Sequence, residues 1–435
     1  MKKPISGFSK LNKLDKIEWV IKNSFSSNNN IKNVLQQYYN DDGKLQKLHD
    51  EFAENTLSNF YLPFAIAPNF LINNKLYIIP MVTEESSVIA AASKAAKFWL
   101  EKGGFKAEVI STIKIGQVHF IFEGNFKDLK DYFENIKPKL LTDVDSLTTN
   151  MNNRGGGIKN IELVNLNDQI ENYFQLKASF ETKDAMGANF INSCLEQFSK
   201  TFKDNFKDSS KIEIIMSILS NYVPECIVKA EVSCPIEELY DNSIVEPISF
   251  AKNFVRAVRI AEVDKYRAVT HNKGIMNGID AVVIATGNDF RAVESGAHAY
   301  ASKSGTYKSL TKASINDNRF SFSIEVPLAL GTVGGLTKLH PLANLALEML
   351  DNPSAEDLMQ ITAVAGLAQN FAAIKSLITT GIQHGHMKMH LINMLNQHKA
   401  SDIEKENAIE YFKKNTVSHL NVEKFINKLR SNDWL

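Results

Sequence analysis

Between residues 110 and 220 the hydrophobic period switches repeatedly between two and 3.6, and the order of the switches leaves few folds open. VISTIKIGQVHFIFEG alternates at Ile113, Ile115, Val118, Phe120 and Phe122, as a strand does, with a slip at 116–117 that reads as a bulge. FKDLKDYFENIK places Phe126, Leu129, Tyr132, Phe133 and Ile136 at helical spacing. Two strand patterns follow, KNIELVNL and NYFQLKASFET, the second alternating at Phe174, Leu176, Ala178 and Phe180. A helix with Ile191, Cys194, Leu195, Phe198 and Phe202 on one face comes next, then the strand KIEIIMSIL. The order βαββαβ is the ferredoxin-like split unit.

The flanks read differently, so this unit is a compact insertion in a larger domain. Upstream, SSVIAAASKAAKFWLEKGG is a helix entered near Ser86 and Ser87 and stopped by Gly103 and Gly104. Downstream, PSAEDLMQITAVAGLAQNFAAIKSLITTG is a long helix opened by Pro353 and Ser354, rich enough in alanine to pack closely inside a large domain. Beyond Gly381 the chain turns polar and helical, as a small mobile cap would. The predicted class is therefore α/β in the mixed α+β sense. A large domain occupies 1–110 and 222–380, the ferredoxin-like unit 111–221, and a helical flap 381–435.

Bulk properties exclude several functions. Lys plus Arg and Asp plus Glu are 49 each among 435 residues, so no global field draws the chain to nucleic acid or an anionic membrane. A hydrophobic content of 44% with 26 Phe suits globular burial. The start MKKPISGFSKLNKLDKIEWV has no signal-peptide core and no run of eighteen uncharged apolar residues is present, so a cytoplasmic protein without a membrane is expected. Cys194, Cys226 and Cys234 have neither CxxC spacing nor even number and read as buried small hydrophobes.

Chemistry concentrates in a few stretches. THNKGIMNGIDAVVIATGND, 270–289, sets Lys273 and Asp289 among small apolar residues. On one continuous helix the two would lie about 24 Å apart and about 160° off a common face, so they could not pair. Gly274, Gly278 and Gly287 allow the chain to turn instead. Lys273 is then either half of a structural ion pair or a cation that stabilises an oxyanion. DAMGAN, 184–189, falls between the third strand and second helix of the inserted unit. It is either a phosphate-binding turn at a helix N-terminus or a capped turn without ligand. Neither GxGxxG nor GxxxxGK[ST] occurs. GTVGGLTK (331–338) and RGGGIK (154–159) are tight turns taken singly. Glu84 and Glu85 stand before a helix, where its dipole explains one acid, and at the end of the apolar strand LYIIPMV, where a site would explain two. QHGHMKMH supplies His384, His386 and His390 without HExxH or a nearby acid, so one histidine as proton donor is more economical than a metal site.

Together ENTLSNFYLPFAIAPNF, PMVTEESSVIAAAS, RGGG, DAMGAN, VDKYRAVTHNKGIMNGIDAVVIATGNDFRAVESGAHAYA, GTVGGLTKLHPLA, VAGLAQN and GIQHGHM resemble the 3-hydroxy-3-methylglutaryl-coenzyme A reductases of the soluble bacterial branch, from about residue 50 to 390. The resemblance implies catalytic roles for Glu85, Lys273, Asp289, which would partner Lys273, and His386. Arg267, Ser87 and Thr270 would hold the substrate's free carboxylate, with Asn277 completing a polar wall. Asp184, Met186, Gly187, Ala188 and Asn189 would meet a nicotinamide dinucleotide. The implied chemistry is two hydride transfers linking the CoA thioester to mevalonate and free CoA, without a metal, in a homodimer or larger assembly with sites between subunits. Relatives that prefer NADH carry an acid about seven residues before the glycine triplet; Thr148 stands there, which implies NADPH at least as readily as NADH. Ser86 replaces the family's proline after the catalytic acid, Ser58 replaces a glycine in ENTLS, and no CoA contact is assigned to the first fifty residues. Two other classes remain: a non-catalytic acyl-CoA or nucleotide-binding protein on this scaffold, which retention of all four catalytic positions disfavours, and a different CoA-thioester reductase, which Arg267 with Ser87 disfavours.

Overall fold

The computed structural model of the protein describes residues 4–25, 30–241, 243–244, 246–379, 381 and 391–431. The chain divides into two units, Met1–Pro63 and Phe64–Leu435. The first contains α1 (Lys13–Ser24), α2 (Ile31–Gln37) and α3 (Gly43–Asp50). Asn12 accepts from the Asp15 N–H at 2.9 Å and Asp42 from the Lys44 N–H at 2.8 Å, which satisfies N–H groups that a helix start leaves open. Lys13 ties α1 to α3 through Asp50 at 2.7 Å.

The second unit begins with the antiparallel hairpin of β1 (Phe64–Ile72) and β2 (Lys75–Val82), turned by Asn73 and Asn74 in the left-handed region that asparagine tolerates. Helix α4 (Val88–Leu100) and β3 (Lys106–Val109) follow. The chain then enters β4 (Lys114–Phe122), α5 (Phe126–Thr142), α6 (Asp145–Asn152), β5 (Gly157–Asn165), β6 (Tyr173–Glu181), α7 (Ala188–Asp204) and β7 (Ile212–Leu219). It returns through β8 (Ile227–Pro235), α8 (Pro247–Val263), α9 (Lys265–Ala285), α10 (Phe290–Ala301), β9 (Thr311–Asn316), β10 (Arg319–Pro327), α11 (Leu336–Leu339), α12 (Pro341–Met349) and α13 (Ala355–Ile378).

Strands β3, β8, β10 and β9 form one antiparallel sheet in that order. Period-2 alternation turns Phe320, Phe322, Ile324 and Val326 of β10, with Val228, Ala230 and Val232 of β8, toward the core. Helix α13 runs through that core. Ser354 and Asp357 cap it reciprocally, and its Phe371 meets Trp99, Phe254 and Phe322 ring to ring. It is long and apolar enough to cross a membrane by length and composition, yet it packs against α4, α8, α9 and β8.

The sheet of the inserted segment has the order β5-β6-β4-β7, antiparallel throughout, and α5 and α7 cover one face with an apolar interior of Val118, Phe120, Leu129, Phe133, Leu176, Phe198 and Phe202. That is the strand order of a split βαββαβ unit, with α6 as an extra turn of structure between α5 and β5. The slip expected at 116–117 is absent. Gly116 and Gln117 stay in register with both neighbouring strands, and Gly116 takes the core-facing position that Ile191 and Leu195 of α7 crowd. The irregularity lies further along, where β7 places one extra residue, Ile215, opposite the step from His119 to Phe120. The two crossings into this segment pair with each other: the Ile110 N–H donates to the Ile227 carbonyl and the Ile227 N–H to the Ser111 carbonyl, each at 2.8 Å. Toward the C-terminus, 391–397, Asp402–Tyr411 and His419–Arg430 are helical, with a small core of Leu391, Leu395, Phe412, Val422 and Ile426.

Candidate active site

The segment 270–289 does not turn at its first two glycines. Helix α9 continues through Gly274 and Gly278, and the chain turns only at Gly287, φ 69°. The reason is packing: a methyl group on Gly278 would lie 2.5 Å from the Ala365 carbonyl oxygen, so glycine lets α9 and α13 approach closely. Lys273 and Asp289 are therefore on separate helices, and the expected pairing of the two is replaced by two other pairs. Lys273 Nζ meets Glu85 Oε2 at 2.6 Å. Asp289 caps α10, accepting from the N–H groups of Arg291 and Ala292 at 3.0 and 3.2 Å, while its Oδ2 accepts from Arg291 Nη2 at 3.2 Å.

Glu85 belongs to the link between β2 and α4, where its N–H donates to Thr83 Oγ1 at 3.2 Å. Ser87, at the start of α4, is left-handed with φ 76° and makes no side-chain cap. The side chains of Lys273 and Glu85 remain 59% and 41% exposed, so their ion pair adds only about 0–1 kcal/mol to stability and stays open to a ligand. Asp280, Lys273 and Asn277 follow one another at helical spacing along one stripe of α9, with Thr270 about 60° round from Lys273. Thr270 is exposed and its hydroxyl donates to the Tyr266 carbonyl at 3.3 Å. Arg267 lies about 120° round by the same geometry and is half-buried, so within one chain it does not join the stripe.

Two motif residues that sequence reasoning left without a role hold Lys273 in place. His271 is 1% exposed, and its Nε2 lies 2.6 Å from Thr311 Oγ1. The Thr311 hydroxyl donates to Asn370 Oδ1 at 3.2 Å, and Asn370 Nδ2 donates to the His271 carbonyl at 3.2 Å. Thr311 has one proton to give, so the His271 proton sits on Nε2. Burial, aided by the Arg267 charge, pushes the His271 pKa down to about 3 and keeps the ring neutral. Asn272 bridges the Lys308 carbonyl and the Leu310 N–H at 2.8 and 3.0 Å. These bonds moor α9 to β9 and α13 and leave Lys273 facing outward. The signal was present: a His and an Asn directly before a solvent-facing Lys fall on the inward side of a helix.

A second missed group is acidic. Asp280 on α9 approaches Glu294 on α10, and burial followed by Glu294 pushes the Asp280 pKa up to about 8.

The turn 184–189 is a docked element. Its Asp184 Oδ1 accepts from the Ala355 N–H at 2.8 Å, at the start of α13, and the Asp184 carbonyl accepts from the Thr332 N–H at 2.8 Å. Gly331 crosses so close that a methyl group there would lie 2.5 Å from the Met186 nitrogen, and its own N–H donates to Asn288 Oδ1 at 2.8 Å. A chain of contacts thus joins the neighbour of Asp289 to the turn. The Asp184 carboxylate is committed to α13, while Gly187, φ 93°, opens the seventeen-residue α7 without a side-chain cap. Ala188 and Asn189 begin that helix. An uncapped helix start of this length, entered through glycine, suits a phosphate group.

Thr148 does not suit a cofactor contact. It is 2% exposed, and its hydroxyl bonds the Asp145 carbonyl and the Asn152 amide. Counting back from the glycine triplet treats 145–152 as a strip of exposed residues, whereas the segment is a helix whose 148 position faces inward and whose Asp145, Ser146 and Thr149 face outward. His386, with His384 and His390, lies outside the described residues. Among the described residues no group of three or more His, Cys, Asp or Glu is placed to hold a metal.

The fold and the pair define a mixed α/β protein that presents an acid and an amine together and carries an uncapped helix start at Gly187. A family model described as hydroxymethylglutaryl-coenzyme A reductase matches residues 14–391. The chain belongs to that family. It is 35% identical over 433 residues to a 3-hydroxy-3-methylglutaryl-coenzyme A reductase of Archaeoglobus fulgidus, covering 99% of this chain and 96% of that one. A probable reductase of the same name from Borreliella burgdorferi is 34% identical, covering 92% of each. A solved class II 3-hydroxy-3-methylglutaryl-CoA reductase of Streptococcus pneumoniae, bound to NADPH in open conformations, superposes with a TM-score of 0.71 at 34% identity, covering 93% of this chain and all of that one.

Proposed function

We infer that the protein interconverts 3-hydroxy-3-methylglutaryl-CoA and mevalonate plus free CoA as an NAD(P)-dependent oxidoreductase. The observation that carries this reading is the pair of Lys273 and Glu85 at 2.6 Å, formed by residues 188 apart in a chain of this family. Two reduced nicotinamide dinucleotides, bound in turn, would supply one hydride each. The N–H groups that open α7, with Gly187, Ala188 and Asn189, would hold the phosphates of each, and Met186 and Asp184 would fix the turn.

In this reading Lys273 stabilises the alkoxide that develops when the thioester carbonyl is reduced, an amine being suited to charge that appears only in the transition state. Glu85, adjacent to that amine, gives its proton to the oxygen in the reduction of the aldehyde, and Lys273 retains the oxygen meanwhile. Asp289, fixed at the start of α10, tunes the charge around them. His386 protonates the departing CoA thiolate. Thr270, Asn277 and Ser87 receive the substrate's polar groups. Arg267, directed away from the stripe within one chain, receives the free carboxylate where a second copy closes the site, which supports a dimer. NADPH is the reading for the dinucleotide, supported by the Streptococcus pneumoniae relative, which is 34% identical and bound to NADPH.

The test is an absorbance assay of the purified chain with 3-hydroxy-3-methylglutaryl-CoA and each reduced nicotinamide. Two nicotinamides oxidised per CoA released are expected. Consumption of one per CoA would point instead to a reductase that stops at the aldehyde, and no consumption with either would leave the non-catalytic binding protein.

A further inference from the structure

We propose that Asp280, held as the neutral carboxylic acid, donates a hydrogen bond to the Glu294 carboxylate across the junction of α9 and α10, and that this shared-proton clamp positions Lys273 and Asp289 relative to each other. Lys273 is on α9 and Asp289 caps α10, so the site depends on the angle between two helices joined only by the short turn 286–289. Asp280 stands seven residues beyond Lys273, on the same stripe and about 10 Å along the axis. Glu294 stands five residues beyond Asp289. The clamp therefore ties the helix that carries Lys273 to the helix that Asp289 caps.

The groups that meet there are both acids. Asp280 Oδ1 is shut off from water and accepts no hydrogen bond. An ionised carboxylate would leave that oxygen charged, dry and unpaired, whereas a carboxylic acid needs only its hydroxyl satisfied, and Glu294 satisfies it. Among the described residues no Lys, Arg or His forms an ion pair with either acid. The charges acting on Asp280 are Glu294 from α10 and Glu84 from the link that also carries Glu85, and both favour the protonated form. Around Glu294 stand Tyr307, whose proton it helps to retain, and His298, whose Nδ1 lies 2.7 Å from the Tyr307 hydroxyl. Removing the proton would set two carboxylates in contact beside a third and drive α9 from α10.

The sign of the pH effect follows. A carboxyl group that is neutral in the folded protein and ordinary in the unfolded chain contributes stability that is complete below its unfolded pKa and is lost as pH rises through the folded one, here between about 4 and about 8. The experiment measures thermal midpoints and steady-state rates of the whole protein across that range for wild type, Asp280→Asn, Glu294→Gln and Asp280→Ala. Asp280→Asn keeps a donor to Glu294 but cannot ionise, so its stability should lack the decline of wild type, and the gap between them should widen as pH rises. Glu294→Gln should flatten the curve as well. Parallel curves for wild type and Asp280→Asn would overturn the shared proton, whatever the protein catalyses. The rate arm rests on the proposed function: wild type should lose about tenfold in kcat one pH unit above an apparent pKa near 8, and Asp280→Asn should not. Asp280→Ala should lower kcat with KM unchanged, since Asp280 touches no substrate. If the stability curves diverge as expected while the alkaline limbs of kcat coincide, the pair shares a proton but does not position the site, and that half of the proposal falls.

Discussion

Helix α9 and the turn 184–189 both depend on glycine at a point where two parts of the molecule meet, and they use it in opposite ways. Gly278 is helical, and its missing side chain admits the backbone of α13. Gly187 adopts φ 93°, and its missing side chain admits both that conformation and the Thr182 methyl group, which a Cβ would approach to 2.5 Å. In the first region glycine sets a distance between rigid elements. In the second it sets the direction in which a helix starts. The first region holds its polar groups in fixed positions by burial, as with His271, Asn272 and Asn370, whereas the second leaves N–H groups of a helix start uncapped. A fixed amine and an uncapped helix start suit the two tasks proposed for them, stabilising charge during reaction and receiving a charged ligand.

The largest effect should come from the rigid region. Lys273→Ala should lower turnover about 100- to 1000-fold, or about 2.7–4 kcal/mol, the range for removing one preorganised donor to an oxyanion. The thermal midpoint should hardly change, because the Lys273 and Glu85 side chains are about half exposed. Steady-state kinetics beside a melting curve make the check. A loss of less than about tenfold would make the pair a surface ion pair and remove the distinction between the two regions.

Acid should also distinguish them. His271 is held neutral with a pKa near 3, against an ordinary value near 6.5 in the unfolded chain, so the unfolded state binds the extra proton between those values. Stability contributed by this site is complete above about pH 6.5 and is lost as pH falls toward about 3, the opposite slope to that of Asp280. His271→Gln should be less stable at neutral pH and flatter in acid, read from urea midpoints across that range. A parallel acid decline in the variant would assign the sensitivity elsewhere.

The docked turn should respond more mildly. Asp184→Ala removes the acceptor for the Ala355 N–H and should cost about 1–2 kcal/mol, while Asp184→Asn, which keeps an acceptor oxygen, should recover most of it. If the turn also holds the dinucleotide, Asp184→Ala should raise its KM more than it lowers kcat. Unchanged stability in both variants would show that Gly331 and Thr332 suffice to dock the turn.

What sequence made legible differs between these regions for physical reasons. The inserted sheet and its helices follow from periodicity, because one face of each element is apolar and the other is not. Periodicity failed at Gly116, where a glycine occupies a core position and interrupts the alternation although the strand does not slip. In α9 the difficulty was reversed. It is buried on much of its surface and carries His271, Asn272, Lys273 and Asp280 as well, so its apolar pattern is weak and its glycines resemble turn signals. Asp280 and Glu294 were beyond reach because their contact depends on the angle between two helices. Thr148 failed for the simplest reason: position along the chain was known, but the face of the helix was not.

The glycines of α9 test each other, and the gain expected at Gly274 is the smallest effect of all. A Cβ on Gly278 would lie 2.5 Å from the Ala365 oxygen and 2.9 Å from Gln369 Cβ, neither able to yield without moving α13, so Gly278→Ala should destabilise by about 1–3 kcal/mol. Gly274, one turn earlier on the same helix, meets nothing nearer than Asn370 Nδ2 at 3.9 Å, which is ordinary contact. Its helical conformation suits alanine, and alanine reduces the freedom of the unfolded chain, so Gly274→Ala should stabilise by about 0.4–1 kcal/mol. Urea midpoints of the two variants should therefore move in opposite directions. A loss at both positions would mean that α9 needs flexibility at Gly274, one residue beyond Lys273. A flexible helix there would undo the contrast between a region that fixes distance and one that fixes direction, and with it the argument that Lys273 is held ready before substrate arrives.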